Sequence, residues 1–102
     1  MKQLVIQQGD VLFYQIDRLP EGVKLHRNNV VAEGEATGHY HAVDGPGISV
    51  LELGRILFVN APNGGIIRHQ EHREIQIPTG VYEIGIVREY DHFEEETRNV
   101  ID

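Results

Sequence analysis

Six histidines fall in a chain of 102 residues that contains no cysteine. Four of them come in two tight pairs, Gly38-His39-Tyr40-His41 and His69-Gln70-Glu71-His72. Neutral imidazole is a nitrogen donor that suits zinc, nickel, copper and iron. In an extended strand residues two apart point to the same face, so His39 and His41 present their rings toward one point. His69 and His72 are three apart at the mouth of a strand-to-strand loop, where a turn brings two rings together. The chemistry this predicts is a divalent transition metal such as zinc, nickel or iron, held by His39, His41, His69 and His72, with Glu35 and Glu71 as neighbouring carboxylates. A metal with an open position activates water, and with Glu35 or Glu71 as a base the first reaction class to test is hydrolysis. The competing reading keeps each pair separate, as exposed or backbone-bonded histidines with no shared ion. His26 and His92 stand alone and read as surface residues.

Other chemistries find little support. Without cysteine there are no disulfides, thiolate sites or cysteine nucleophiles. Ser49 is the single serine, sits in an expected strand and lacks a Gly-x-Ser-x-Gly elbow, which argues against serine hydrolysis. Gly34-Glu35-Ala36-Thr37-Gly38 lacks the Lys-Ser/Thr pair of a phosphate loop and reads as a loop that shapes a pocket. Glu33 and Glu35 share a face if extended, but paired surface acids are commoner than catalytic dyads. The formal net charge is -7, and the nine Lys and Arg residues are scattered, so nucleic acid is not an expected partner. Five carboxylates between Glu89 and Glu96 form a solvated face or lead into an acidic tail over residues 91–102. The apolar run near the start is too short for a signal peptide, and no stretch is long enough to cross a bilayer as a helix, which predicts a cytoplasmic protein.

The elements that position the histidines are strands. Short apolar runs punctuated by Gly, Pro, Asn and Asp predict one all-β domain over residues 1–102, a small antiparallel barrel or sandwich. Strands are expected at Leu4–Gln7, Val11–Ile16, Val30–Glu33, His39–Val43, Ile48–Leu53, Ile56–Val59, Ile66–His69, Glu74–Ile77 and Val81–Tyr90. Gly9-Asp10, Asp44-Gly45-Pro46-Gly47, Pro62-Asn63-Gly64-Gly65 and Pro78-Thr79-Gly80 are turns. Gly54-Arg55 reads either as a tight reversal or as a bulge in one long strand.

His39-Tyr40-His41 followed by Ile75-Gln76-Ile77-Pro78-Thr79-Gly80-Val81-Tyr82 resembles the two motifs of cupins, small β-barrels that hold a metal with a His-x-His pair, an acid and a later histidine. The resemblance implies a cupin-like barrel with Asp44 near the acid's position and Tyr82 at that of the last histidine. Tyr82 then becomes a ligand-contacting residue, and His69 or His72 completes the metal set. The whole chain also resembles a group of small bacterial and phage proteins of no established activity, through Gln8-Gly9-Asp10-Val11-Leu12, Glu33-Gly34-Glu35-Ala36-Thr37-Gly38-His39, the His69–His72 stretch and Arg88-Glu89-Tyr90-Asp91.

Two further functions compete with metal binding. One is a non-catalytic module that captures a small-molecule ligand or a protein, such as a phage or mobile-element accessory protein, with edge strands that pair into a homo-oligomer. The other is a structural part of a larger assembly docked through its acidic segment. Whether the chain is an enzyme is left open by its residues.

Overall fold

The computed structural model describes residues 2–34 and 38–87. It contains ten strands and, among the described residues, no helix: β1 (Gln3–Gln8), β2 (Val11–Ile16), β3 (Lys24–Leu25), β4 (Val30–Glu33), β5 (Tyr40–Asp44), β6 (Ser49–Leu53), β7 (Ile56–Ala61), β8 (Gly65–Arg68), β9 (Ile75–Ile77) and β10 (Gly80–Ile86). They form a six-stranded sheet in the order β1-β2-β10-β7-β6-β3 and a four-stranded sheet in the order β4-β5-β8-β9. All the strand pairings are antiparallel. The sheets do not close into a barrel, so of the two expected architectures the sandwich-like one is found.

Alternation builds the core between the sheets. Ile6, Val11, Phe13, Val50, Val59, Ala61, Tyr82 and Ile84 are buried on the larger sheet, and Val31, Val43, Ile67 and Ile77 on the smaller. The cross-strand pairs Ile6↔Phe13 and Ile84↔Phe13 put these side chains on one face. Phe13 and Tyr82 meet edge to face with ring centroids 5.7 Å apart. Tyr82 is fully buried, and its hydroxyl donates to the Pro78 carbonyl across the Pro-x-Gly turn.

Nine of the ten strands coincide with expected ones apart from their ends. The tenth, β3, is two residues long and carries no alternation of its own; it exists because Lys24 and Leu25 pair with Glu52 and Leu51 of β6. Gly54-Arg55 is the tight reversal, since Leu53 pairs with Ile56 across it. Gly54 has φ +62° and Arg55 is not in the left-handed region, as in a type II′ hairpin turn. The last strand is expected to run to Tyr90 but ends at Ile86, and the Val87 amide instead donates to the Asp10 carbonyl at 2.8 Å. Arg88-Glu89-Tyr90-Asp91, His92 and the acidic segment lie outside the described residues. His26, expected at the surface, is half-buried: its Nδ1 stands 2.7 Å from Glu52 Oε1, a partner that strand β6 supplies.

Replacing Tyr82 separates its two contributions. Tyr82→Phe removes only the bond to Pro78 and should cost about 1 kcal/mol. Tyr82→Ala also empties the ring's place in the core and should cost about 3–5 kcal/mol. Urea unfolding of both variants checks the ratio.

Candidate functional site

Strand alternation carries the histidines into the space between the sheets. Val43 of β5 pairs with Ile67 of β8, both buried on the inner face. In the same parity come His41, two residues before Val43 on β5, and His69, two residues after Ile67 and one past the end of β8. The inner face thus changes from apolar to imidazole at one end of the sandwich. The ring centroids of His41 and His69 lie 4.3 Å apart, those of His39 and His69 5.4 Å. His72 is brought in by the β8–β9 loop, with its centroid 4.6 Å from His69 and 5.8 Å from His41. All four paired histidines therefore converge.

The opposite wall is the β1–β2 turn. Gly9, at φ +59°, lies so close that a Cβ there would sit 2.7 Å from His72 Nε2. Any side chain at this position would be both strained and in the way. Asp10 Oδ1 lies 3.9 Å from His41 Nε2. Gln8, only 2% exposed, reaches from β1 to the smaller sheet: its Nε2 donates to the carbonyls of Ile67 at 3.2 Å and Arg73 at 2.8 Å. Because both amide protons go to carbonyls, Oε1 is the atom facing His41 Nδ1 at 2.8 Å.

That orientation fixes a proton. An amide oxygen only accepts, so His41 carries its proton on Nδ1 and in the neutral ring turns the Nε2 lone pair toward Asp10. His69 has the reverse arrangement. Its Nδ1 accepts from the backbone amides of Glu71 at 3.0 Å and His72 at 3.3 Å, which places the proton of the neutral ring on Nε2. His39 Nδ1 lies 3.8 Å from Glu71 Oε2, a carboxylate that favours a proton on that nitrogen.

Burial, together with repulsion from protonated His69 and His72, pushes His41 below the ordinary imidazole range, and Asp10 offsets only part of this. His69 is lowered as well, by desolvation first and then by His72 and His39. The cluster therefore favours neutral rings at these two positions.

Of the residues singled out in the sequence, His39, His41, His69, His72 and Glu71 come together. Glu35 lies outside the described residues. Tyr82 is not brought to the cluster: it pairs with Gln15 of β2, whereas the histidines gather beyond the Val11 end of that strand. Its position reflects the core rather than a ligand set. Asp44 instead stands 3.4 Å from Arg68. A groove of about 800 Å³ lined by Ile16, Leu19, Pro20 and Phe58 contains none of the histidines.

Sequence reasoning missed Gln8 and Asp10. Gln8 had a usable signal: in β1 it follows Ile6 by two residues, so a polar side chain takes a position whose parity points inward.

As the side chains stand, no group of three or more His, Asp or Glu among the described residues is in position to hold a metal ion. The rings are tilted, stacked or edge-on to one another, with interplanar angles of 36° for His41–His69, 52° for His69–His72, 83° for His39–His69 and 21° for His41–His72.

The class defined by these features is a small antiparallel β-sandwich with an imidazole cluster at one end. The chain belongs to the family described as a domain of unknown function, DUF8820, whose family model matches residues 7–87. The matched span contains Gln8, Gly9, Asp10 and all four clustered histidines. No curated protein matches the chain, and no solved structure matches it.

The lowered values of His41 and His69 give stability a pH dependence. In the unfolded chain both titrate near the ordinary imidazole value of about 6.5, so below it the unfolded state binds more protons than the native one. Stability contributed by keeping these rings neutral is present above that value and is lost as the pH falls toward their folded values. Metal-free protein should therefore melt at a lower temperature at pH 5.5 than at pH 7.5. Thermal denaturation in the presence of chelator tests this, and a melting temperature that rises on acidification would contradict it.

Proposed function

We propose that this domain binds a divalent transition metal through His39, His41, His69 and His72, with zinc the ion best matched to the donor set. The convergence of the four rings carries the reading. Four imidazoles on one tetrahedral ion, each nitrogen about 2.0–2.1 Å from the metal and each ring centre about 1.2 Å further out, would stand about 5 Å apart centre to centre. Four of the six pair separations, 4.3, 4.6, 5.4 and 5.8 Å, bracket that spacing. The adjustment required is rotation of rings about their side-chain torsions together with release of the two amide bonds at His69 Nδ1, within an unchanged strand register.

Electrostatics supports the same reading. In the neutral form, His41 Nε2 and the Asp10 carboxylate are two acceptors 3.9 Å apart. A cation relieves that opposition, and a proton is the poorer choice because burial disfavours imidazolium at His41. Nickel, copper and iron share the preference for imidazole. The likeness to cupins is carried into this proposal only by the His-x-His pair, because Tyr82 is spoken for by the core. If one coordination position stayed open, the metal would supply water activation, and Glu71, whose side chain is 71% exposed and 3.8 Å from His39, would be the base; Glu35 is the other carboxylate of this reading.

A non-catalytic binding module is the second reading. It is favoured by Leu25, Leu53 and Ile56, which are 71%, 39% and 45% exposed around the β3–β6–β7 edge. Exposed apolar side chains at a sheet edge suit an interaction surface, here for a protein partner or a second copy of the chain.

Elemental analysis of untagged protein purified without chelator tests the leading reading. Near-stoichiometric metal is expected, with loss of most of it in the His39→Ala/His41→Ala variant while the β-rich circular dichroism persists. Equal metal content in the variant and the parent, or none in either, overturns the proposal and moves the binding module to first place.

A further inference from the structure

We infer that Gln8 is a positioning residue of the histidine site: its buried side-chain amide sets which nitrogen of His41 carries the proton and so makes Nε2 a lone-pair donor. The inference concerns the metal-free protein, and its link to metal affinity rests on the function proposed above.

The amide has no freedom to do otherwise. Turned end for end, it would set its oxygen against the carbonyls of Ile67 and Arg73, which now accept its two protons at 3.2 and 2.8 Å. Those carbonyls belong to β8 and the β8–β9 loop, whereas Gln8 belongs to β1, so the orientation is imposed by the packing of one sheet on the other. His41 in turn is buried, with its side chain 8% exposed, and water cannot readily substitute for the bond at Nδ1. Partners that hold the remote nitrogen of a metal-binding histidine fix ring direction and tautomer in this way.

His69 supplies the internal comparison. Its Nδ1 accepts from two amides of its own loop, so its tautomer is set locally, by residues 69–72, and does not depend on Gln8. The two rings, 4.3 Å apart, should therefore carry their protons on opposite nitrogens.

The test is nitrogen-15 NMR of the imidazoles in metal-free protein above pH 7.5, alongside zinc affinity measured by competition with a chromophoric chelator. In the parent protein His41 should be protonated on Nδ1 and His69 on Nε2. In Gln8→Met the His41 ring should lose its preference for Nδ1 while His69 keeps its own, and zinc should bind about 10- to 100-fold more weakly. Gln8→Glu retains an acceptor for Nδ1 and should preserve the His41 tautomer even where it lowers stability.

An Nε2-protonated His41 in the parent overturns the inference without any variant having to fold. So does an unchanged His41 tautomer in folded Gln8→Met, which would reduce Gln8 to a structural tie. If zinc fails to bind the parent while the tautomers behave as stated, the metal proposal fails and the positioning role stands.

Discussion

A primary amide enclosed between two sheets must satisfy two donors and an acceptor at once, and Gln8 does so with three partners from the opposite sheet and its β8–β9 loop: the Ile67 carbonyl, the Arg73 carbonyl and His41 Nδ1. An unmet bond of this kind in a buried place costs about 1–3 kcal/mol, comparable with a sizeable fraction of a small domain's stability. The relative placement of the sheets, the path of the β8–β9 loop past Arg73 and the direction of the His41 ring are therefore coupled. Shifting any one of them leaves a buried polar atom without its partner.

This coupling explains why imidazoles can occupy the end of a core. Continuing the inner face of β5 and β8 with valine and isoleucine would extend apolar packing, as Val43 and Ile67 do. His41 and His69 in those places bring polar nitrogens into a semi-enclosed space, and each ring has one nitrogen satisfied by the protein, through Gln8 or through the loop amides. The remaining nitrogen of His41 lies 3.9 Å from Asp10 Oδ1. Such an arrangement gives up hydrophobic stabilisation at that end and retains directed polar atoms, the pattern expected where a surface is built for a ligand rather than for packing.

Much of the fold was legible because alternation is a strong signal. Val11–Ile16 and Val30–Glu33 coincide with β2 and β4, and the Gly-Asp and Pro-Thr-Gly turns fall where their residues demand positive φ or a preset corner. The two histidine pairs were visible as pairs. Their meeting was not, because it depends on the β5–β8 register, which places His41 across from His69 and which no local pattern encodes. The place of Tyr82 in a motif suggests a ligand contact, whereas the structure sets it opposite Gln15 and against Phe13 in the core, a placement that likewise depends on register. His26 looked solitary because Glu52 is distant in sequence and adjacent only after β3 pairs with β6.

The number of rings available as lone-pair donors follows from two kinds of constraint. His41 is oriented by a long-range contact that exists only when the sheets are packed, so its Nε2 is presented by the fold itself. His69 is oriented by amides two and three residues away, and its Nε2 is a proton donor for as long as that loop turn is kept. A site that uses His69 as a fourth ligand must therefore release those two amide bonds to water or to new partners. A site that keeps them has three imidazoles and a His69 ring whose proton stays on Nε2. Were a metal bound as proposed, the first arrangement would fill a tetrahedral ion, as structural centres do, and the second would leave a position for water or substrate. The 69–72 loop, exposed at Gln70, Glu71 and His72, is thus the element on which a choice between holding a metal and using one would turn.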